Sequence, residues 1–157
     1  MNWTSFHSRG AVLRTVIATA DARRDGILPM EVTGVAETFG DELTLLGALQ
    51  LRWHTRLAGR IEREQMTQPV ELDRAVVAAW RATAEELPGV LAILDHYRDR
   101  PTGPEMAAAM STAVAKERAM LAMMGGRAST ADAAAVRVGA GLERHARSTL
   151  LPSGLVA

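Results

Sequence analysis

The chain contains no cysteine among its 157 residues, which excludes disulfide bonds, thiolate metal ligands and cysteine nucleophiles. Strand patterns are also scarce, because no long stretch alternates apolar and polar residues between turn residues. No window approaches the about 20 consecutive apolar residues that a membrane-spanning helix needs. We therefore expect a soluble, cytoplasmic protein without a membrane partner.

The chain also has no excess of charge of either sign. Its formal net charge is zero, which removes the simplest electrostatic argument for binding nucleic acid or an anionic membrane. Lys116 is the only lysine among many arginines, a bias that together with the abundant alanine suggests a bacterial source. With 48% hydrophobic residues, the chain is predicted to form one domain over residues 1–157, with a frayed tail from about residue 152.

The apolar residues of the sequence instead repeat with the period of an α-helix. This pattern predicts an all-α fold, in the form of an antiparallel bundle of about five long helices with short connections. The clearest helix follows Asp41, which is suited to the N-cap position. Its apolar stripe is predicted to face the core and consists of Leu46, Leu49, Trp53, Leu57 and Ile61. The predicted helices run from about Ser5 to Arg24, Asp41 to Glu64, Pro69 to Arg100, Thr102 to Met124 and Thr130 to Thr149.

Proline and glycine refine this outline. Gly26 is predicted to end the first helix in the left-handed conformation. Pro88 is predicted to kink or break the third helix, because proline removes an internal hydrogen bond and clashes with the preceding turn. Thr102 and Glu105 form a capping-box sequence, so Thr102 is the predicted N-cap of the next helix. A short extra helix is predicted from Pro29 to Phe39.

A row of arginines is the first candidate binding feature. Arg52, Arg56 and Arg60 recur every four residues and therefore line one side of the second long helix. Because like charges at this spacing repel each other, acidic groups should offset them. The candidates within the chain are Glu62, Glu64, Glu85 and Glu86. The two interpretations are an internally paired face and a contact surface for an acidic partner or anionic ligand.

Two apolar side chains are candidate anchors for such a partner. Trp53 lies beside the arginine row, and Met120 belongs to a helix rich in methionine and alanine. Methionine fills irregular gaps in cores, but it also forms adaptable surfaces that repack around a partner helix. The interpretations are therefore ordinary core packing and a surface for a protein partner or for self-association as a homodimer.

The histidines suggest a cofactor site. His54 and His96 each follow an apolar residue at position i−3, which places them near the predicted core, where neutral imidazole can ligate zinc, iron or haem. The Glu-x-x-His pairs of di-iron bundles and the His-Glu-x-x-His zinc motif are both absent. Two interpretations are therefore open: histidines that are simply packed, and a metal or haem site formed by His54 and His96. The sequence does not identify the cofactor of such a site.

The segment from Val35 to Leu49 is similar to a helix-turn-helix motif of DNA-binding proteins. Asp41 falls where that motif requires an apolar residue, and Glu37, Asp41 and Glu42 would face the DNA phosphates. Nucleic acid is therefore not the expected partner, and a DNA-binding regulator is only the second alternative.

No catalytic arrangement is recognisable in the sequence. Serines occur without a glycine elbow, no glycine-rich phosphate loop is present, and the adjacent carboxylates Glu85 and Glu86 point in different directions on a helix. The leading hypothesis is a non-enzymatic helical protein that acts through protein contacts, as an accessory subunit or a regulatory module. A metal- or haem-binding bundle is the first alternative.

Overall fold

The computed structural model describes residues 2–150, with side chains from Arg9 onward, and its regular elements are all α-helices. Seven helices cover 77% of this range, which confirms the predicted all-α class. In chain order they are α1 (Asn2–Arg23), α2 (Val35–Thr38), α3 (Glu42–Thr67), α4 (Leu72–Glu86), α5 (Pro88–Asp99), α6 (Pro104–Met124) and α7 (Ala133–Ser148). The frayed tail predicted from about residue 152 lies outside the described residues.

The helices form two compact units. Unit 1 contains Met1–Trp53 and Leu87–Met110, and unit 2 contains His54–Glu86 and Ser111–Ala157. Helices α3 and α6 contribute residues to both units. A single domain over residues 1–157 stays a prediction. Within residues 2–150, no helix is both long enough and apolar enough to cross a membrane.

Aspartate side chains cap two of the helices. The Thr44 backbone N–H donates to Asp41 Oδ1 at 2.8 Å, and the Ala135 N–H donates to Asp132 Oδ1 at 2.9 Å. These bonds satisfy amides that have no partner inside α3 and α7. Hydrogen bonds from the side chain and then the backbone of Thr44 hold the pKa of Asp41 below its usual range, and the bond from the Ala135 N–H does the same for Asp132. Asp41 is therefore the N-cap of α3, as predicted. Helix α7 begins after Asp132 rather than at about Thr130.

The predicted capping box at Thr102 is wrong. The Ala107 N–H donates to the Gly103 carbonyl at 3.0 Å, so Gly103 occupies the N-cap position of α6. The hydroxyl and the N–H of Thr102 lie 3.6 and 3.5 Å from Met106 Sδ instead. Pro104 then stands at the first helical position, where its missing N–H leaves no helical bond unmade.

Residues with positive φ stand at the limits of α1 and α2. Gly26 has the predicted positive φ, 74°, but α1 ends earlier, at Arg23, and the left-handed residue directly after it is Arg24, with a φ of 51°. Helix α2 is a single turn, shorter than the helix predicted from Pro29 to Phe39, because Gly34 (φ 92°) and Gly40 (φ 79°) bound it with backbone conformations that a helix excludes.

Leu87 separates α4 from α5. Its φ of −124° and ψ of 55° lie outside the helical region, and Pro88 is the first residue of α5. Proline is favourable there, since the N–H of a first helical residue has no partner inside the helix. The Leu91 N–H donates to the Leu87 carbonyl at 3.0 Å and so starts the hydrogen-bond ladder of α5.

In unit 1, α1 packs against α5. The Gly89 N–H donates to Asp21 Oδ1 at 2.9 Å, and a Cβ atom at Gly89 would lie 2.2 Å from the carbonyl carbon of Ala20. Only glycine permits this approach between the two backbones. The Tyr97 hydroxyl accepts a hydrogen bond from the Leu28 N–H at 3.1 Å. The largest fully buried side chains of this unit are Val16, Val35, Leu45, Leu46, Leu49, Trp53 and Ile93.

In unit 2, α4 packs against α7. Helix α7 also meets α6 closely, because a Cβ atom at Gly139 would lie 1.8 Å from the Arg118 carbonyl oxygen. The largest fully buried side chains of this unit are Leu57, Ile61, Val76, Trp80 and Leu121. Together the two units bury all five residues of the apolar stripe predicted for α3, so that prediction is confirmed.

Candidate functional site

The arginine row of α3 meets the end of α4 at Glu86. Arg56 Nε donates to Glu86 Oε1 at 2.7 Å, and Arg56 Nη2 contacts the same oxygen. Arg60, one turn further along α3, places Nη2 4.0 Å from Glu86 Oε2. We call Arg56, Arg60, Arg63 and Glu86 the arginine cluster. Glu86 is one of the acidic partners proposed from the sequence, so internal pairing of Arg56 and Arg60 is part of this face.

The charges of the arginine cluster do not balance at Glu86. The hydrogen bond from Arg56 holds the pKa of the Glu86 carboxyl below its usual range, and the positive charges of Arg56, Arg60 and Arg63 lower it further. In return, Glu86 raises the pKa of Arg56. One carboxylate thus faces three guanidinium groups and offsets the charge of only one.

Arg56 stays accessible although it is paired. Its side chain is 59% exposed, and Arg60 is half-buried. A guanidinium carries five N–H donors in a planar fork, so a carboxylate bound on one side leaves donors for a second acceptor. Arg52, the third residue of the predicted row, is exposed but belongs to unit 1. The structure therefore brings Arg56 and Arg60 together at one acidic group, and Arg63, which the sequence already places close to the row, adds only its charge there.

The two predicted apolar anchors differ in accessibility. A partner contact at Trp53 stays a prediction, but the side chain is only 1% exposed and is part of the core. The reason is its place on the inward stripe of α3, four residues before Leu57. Met120 is half-buried in α6, and part of its side chain is at the surface.

His54 is a half-buried residue of unit 2. Burial lowers its pKa, and the positive charge of Lys116 lowers it further, so the neutral imidazole is favoured. The neutral form is the one that ligates metals, but the same lysine charge opposes a cation at this position.

His96 is a half-buried residue of unit 1. Its ring meets the Tyr97 ring edge-on at 4.8 Å between centroids. It lines a cleft of about 330 Å³ at the ends of α1 and α5, together with Arg24, Asp25, Gly26, Ala92, Asp95, Asp99 and Arg100. Among the described residues, no group of three or more histidine, aspartate or glutamate side chains is arranged to hold a metal ion. A metal or haem site formed by His54 and His96 stays a prediction.

A second ionic group of unit 2 is built around the buried carboxylate of Glu143. Glu143 of α7 accepts a hydrogen bond from Arg147 Nε at 3.0 Å, and Arg118 Nε of α6 lies 3.4 Å from its other oxygen. The Arg147 guanidinium stacks over the Trp80 ring of α4, with Cζ 4.8 Å from the ring centroid. We call Glu143, Arg118 and Arg147 the buried triad.

The electrostatics of the buried triad favour an ionised Glu143. Burial alone would raise its pKa, but the charges and hydrogen bonds of Arg147 and Arg118 outweigh that cost and hold the pKa below its usual value. Sequence reasoning missed this group. The spacing of Glu143 and Arg147, four residues apart, was a usable signal, whereas Arg118 and Trp80 come from other helices.

The segment proposed as a helix-turn-helix folds as the single turn α2, followed by Gly40 and the 26-residue α3. Val35 and Phe39 are buried, and Asp41 caps α3 with its carboxylate. The start of α3, where a recognition helix would approach phosphates, therefore carries the acidic Asp41 and Glu42, and the preceding α2 carries Glu37. DNA binding through this segment stays a prediction.

Comparison with models of known protein families, with curated proteins and with solved structures finds no match for this chain. The geometry of the described residues is therefore the sole basis for the function proposed next.

Proposed function

We propose that this protein acts without catalysis, as an accessory subunit or regulatory module that binds an acidic segment of another protein through its arginine cluster. The observation that carries this proposal is the meeting of Arg56 and Arg60 at the single carboxylate of Glu86, with the charge of Arg63 acting on the same group. We also propose that the helices form the predicted antiparallel bundle of about five long helices, and that the third of these is kinked or broken at Pro88.

The pairing with Glu86 supports binding by ordering the arginines beforehand. Free arginine side chains lose rotamer freedom when they bind a partner, and this loss weakens the complex. Glu86 already restricts Arg56, so less freedom is left to lose. An incoming carboxylate would meet a guanidinium held in place, with further positive charge from Arg60 and Arg63 beside it.

The class of partner follows from the same charges. Carboxylates of an acidic helix or loop match the remaining donors of the cluster and can accept two parallel N–H bonds from one guanidinium. Met120, which is partly exposed, stays a proposed apolar anchor for the same partner, and Arg52 stays a proposed contact residue. Neither is required for the test that follows.

Titration with a fluorescent oligoglutamate peptide tests the proposal by fluorescence anisotropy. We expect binding that weakens as salt rises, since it depends on exposed charges. The double variant Arg56→Ala/Arg60→Ala should lose at least about tenfold in affinity, because it removes both side chains that contact Glu86.

The matched control is Arg137→Ala/Arg144→Ala. It removes the same amount of charge from two exposed arginines of α7 in unit 2. We expect its affinity to change by less than about twofold. If the wild-type protein does not bind the peptide, or if both double variants lose affinity equally, the arginine cluster is not a specific binding site for acidic segments.

A further inference from the structure

The cleft at the ends of α1 and α5 is lined by charges of both signs. Its volume is about 330 Å³, at the small end of the range of roughly 300–1,000 Å³ for ligand pockets. Its lining includes two arginines and three aspartates, namely Arg24, Arg100, Asp25, Asp95 and Asp99. We call the space between these five residues the mixed-charge cleft. It lies entirely within unit 1.

The turn after α1 packs directly against α5 at Gly26. A Cβ atom at Gly26 would lie 3.0 Å from the Ala92 carbonyl oxygen and 3.1 Å from His96 Cβ. Asp95 and Asp99 follow Ala92 and His96 at spacings of three residues, so all four share one face of α5. The turn therefore stands on one side of the mixed-charge cleft, and the end of α5 stands on the other.

The carboxylates of the mixed-charge cleft keep negative charge for a ligand. Arg98 is shared between two of them, with Nη2 3.7 Å from Asp95 Oδ1 and Nε 3.9 Å from Asp99 Oδ1. Asp25 Oδ1 accepts a hydrogen bond from the Ile27 N–H at 3.0 Å. That bond orients the Asp25 carboxylate, but a backbone amide carries no net charge and does not neutralise it.

The arginines of the mixed-charge cleft keep positive charge in the same way. Arg24 Nε donates to the Asp21 carbonyl at 3.1 Å, and this acceptor is also without net charge. The bond leaves the two terminal amino groups of Arg24 as donors. Arg100, which follows α5 directly, is exposed. The cleft thus offers guanidinium groups to an anion beside carboxylates that attract a cation.

The ends of two helices shift this balance toward a cation. Arg24 is the residue directly after α1, and Arg100 is the residue directly after α5, so both C-termini lie at the mixed-charge cleft. A helix C-terminus acts as about half of a negative elementary charge. A ligand with more positive than negative charge therefore fits this cleft best.

We propose that the mixed-charge cleft binds a free basic amino acid, which carries two positive groups and one carboxylate. The ligand carboxylate pairs with Arg24 or Arg100, because a guanidinium can donate two parallel N–H bonds to a carboxylate. The positive groups pair with Asp25 and Asp99. The cleft lies in unit 1 and the arginine cluster in unit 2, so this proposal and the proposed function fail independently.

Isothermal titration calorimetry of the full chain with L-lysine tests the proposal. We expect one site with a dissociation constant below about 1 mM. Cadaverine has the same two amino groups but no carboxylate, so it should bind at least about fivefold more weakly. L-Glutamate has the opposite balance of charge and should not bind at concentrations up to about 10 mM.

Two double variants separate the roles of the charges. Asp25→Asn/Asp99→Asn should weaken L-lysine at least about tenfold, since it removes the groups that pair with the cations. Asparagine keeps the oxygen that accepts the Ile27 N–H, so the turn is preserved. Arg24→Gln/Arg100→Gln should weaken L-lysine at least about fivefold but should not weaken cadaverine, which has no carboxylate.

The matched control is Glu37→Gln/Glu105→Gln, which removes two exposed carboxylates of unit 1 outside the mixed-charge cleft. Its affinity for L-lysine should stay within about twofold of the wild type. Three results would overturn the proposal. They are no binding of L-lysine up to about 10 mM, an equal loss in the control and in Asp25→Asn/Asp99→Asn, and an equal loss of L-lysine and cadaverine binding in Arg24→Gln/Arg100→Gln.

Discussion

Two carboxylates of unit 2 each hold arginine side chains, but one lies at the surface and the other in the interior. The Glu86 side chain is 31% exposed and feels the charges of Arg56, Arg60 and Arg63, whereas Glu143 is 5% exposed and contacts Arg118 and Arg147. Water can replace the arginines around Glu86, so breaking that group costs little. It cannot reach Glu143 as easily, and each missing partner leaves a charge in a poorly solvated place. The same residue types therefore serve binding in one place and stability in the other.

The largest effect that follows from this comparison is on stability. The substitution Glu143→Gln removes the negative charge but keeps the shape, and leaves Arg118 and Arg147 facing each other without it. We expect the free energy of unfolding to fall by about 3 kcal/mol, at the low end for a broken buried pair, because both arginines are partly exposed and can turn to water. Urea denaturation at neutral pH measures this loss.

Glu86→Gln is the matched control on the exposed side of the comparison. It makes the same chemical change in the arginine cluster, and we expect a loss of about 0.5 kcal/mol. Equal losses for the two variants would mean that burial does not separate the buried triad from the arginine cluster.

The close approach of α6 and α7 beside the buried triad gives the next largest effect. A Cβ atom at Gly139 would lie 1.8 Å from the Arg118 carbonyl oxygen, so Gly139→Ala must push the two helices apart. We expect a loss of about 2 kcal/mol in the free energy of unfolding, even though alanine is the better helix former.

Gly141→Ala, two residues further along α7, separates packing from helix propensity. Its Cβ atom would meet only the flexible end of Arg144, at 3.7 Å. We expect this variant to be stabilised by about 0.5 kcal/mol. Thermal and urea unfolding of both variants check the pair, and destabilisation of similar size in each would contradict the packing argument.

The all-α class and the inward stripe of α3 could be predicted from the sequence, whereas the contacts between helices could not, for a physical reason. The apolar stripe of α3 repeats with the period of a helix, so the burial of Leu57 and Ile61 could be predicted from the chain alone. The N-cap of Asp41 is equally local. The error at Thr102 is one residue along the chain, because the N-cap of α6 is Gly103. Sequence patterns locate the end of a helix no more precisely than this.

Most of the features that could not be predicted from the sequence depend on contacts between helices. The arginine row was visible in the spacing of Arg56 and Arg60, and Glu86 was among its candidate partners, but the choice among four glutamates required the packing of α4. The buried triad depends on the meeting of α6 and α7, and only the four-residue spacing of Glu143 and Arg147 is visible along the chain.

The smallest effect concerns the pH dependence of stability. The pKa of Glu143 is lower in the folded protein than the value of about 4.3 for an unfolded glutamate. A group of this kind contributes stability that is fully present above the unfolded value and is lost as pH falls through the folded value. We therefore expect the stability difference between wild type and Glu143→Gln to be constant near neutral pH and to shrink below about pH 4.3.

Urea denaturation of both proteins between about pH 7 and about pH 3 measures this change, with Glu86→Gln as the control. The pKa of Glu86 is lowered as well, so its contribution has the same sign, but an exposed carboxylate has less stability to lose in acid. The decline for Glu143→Gln should therefore exceed the decline for Glu86→Gln. A difference that grows in acid would mean that burial outweighs Arg147 and Arg118, so that Glu143 is the weaker acid in the folded state.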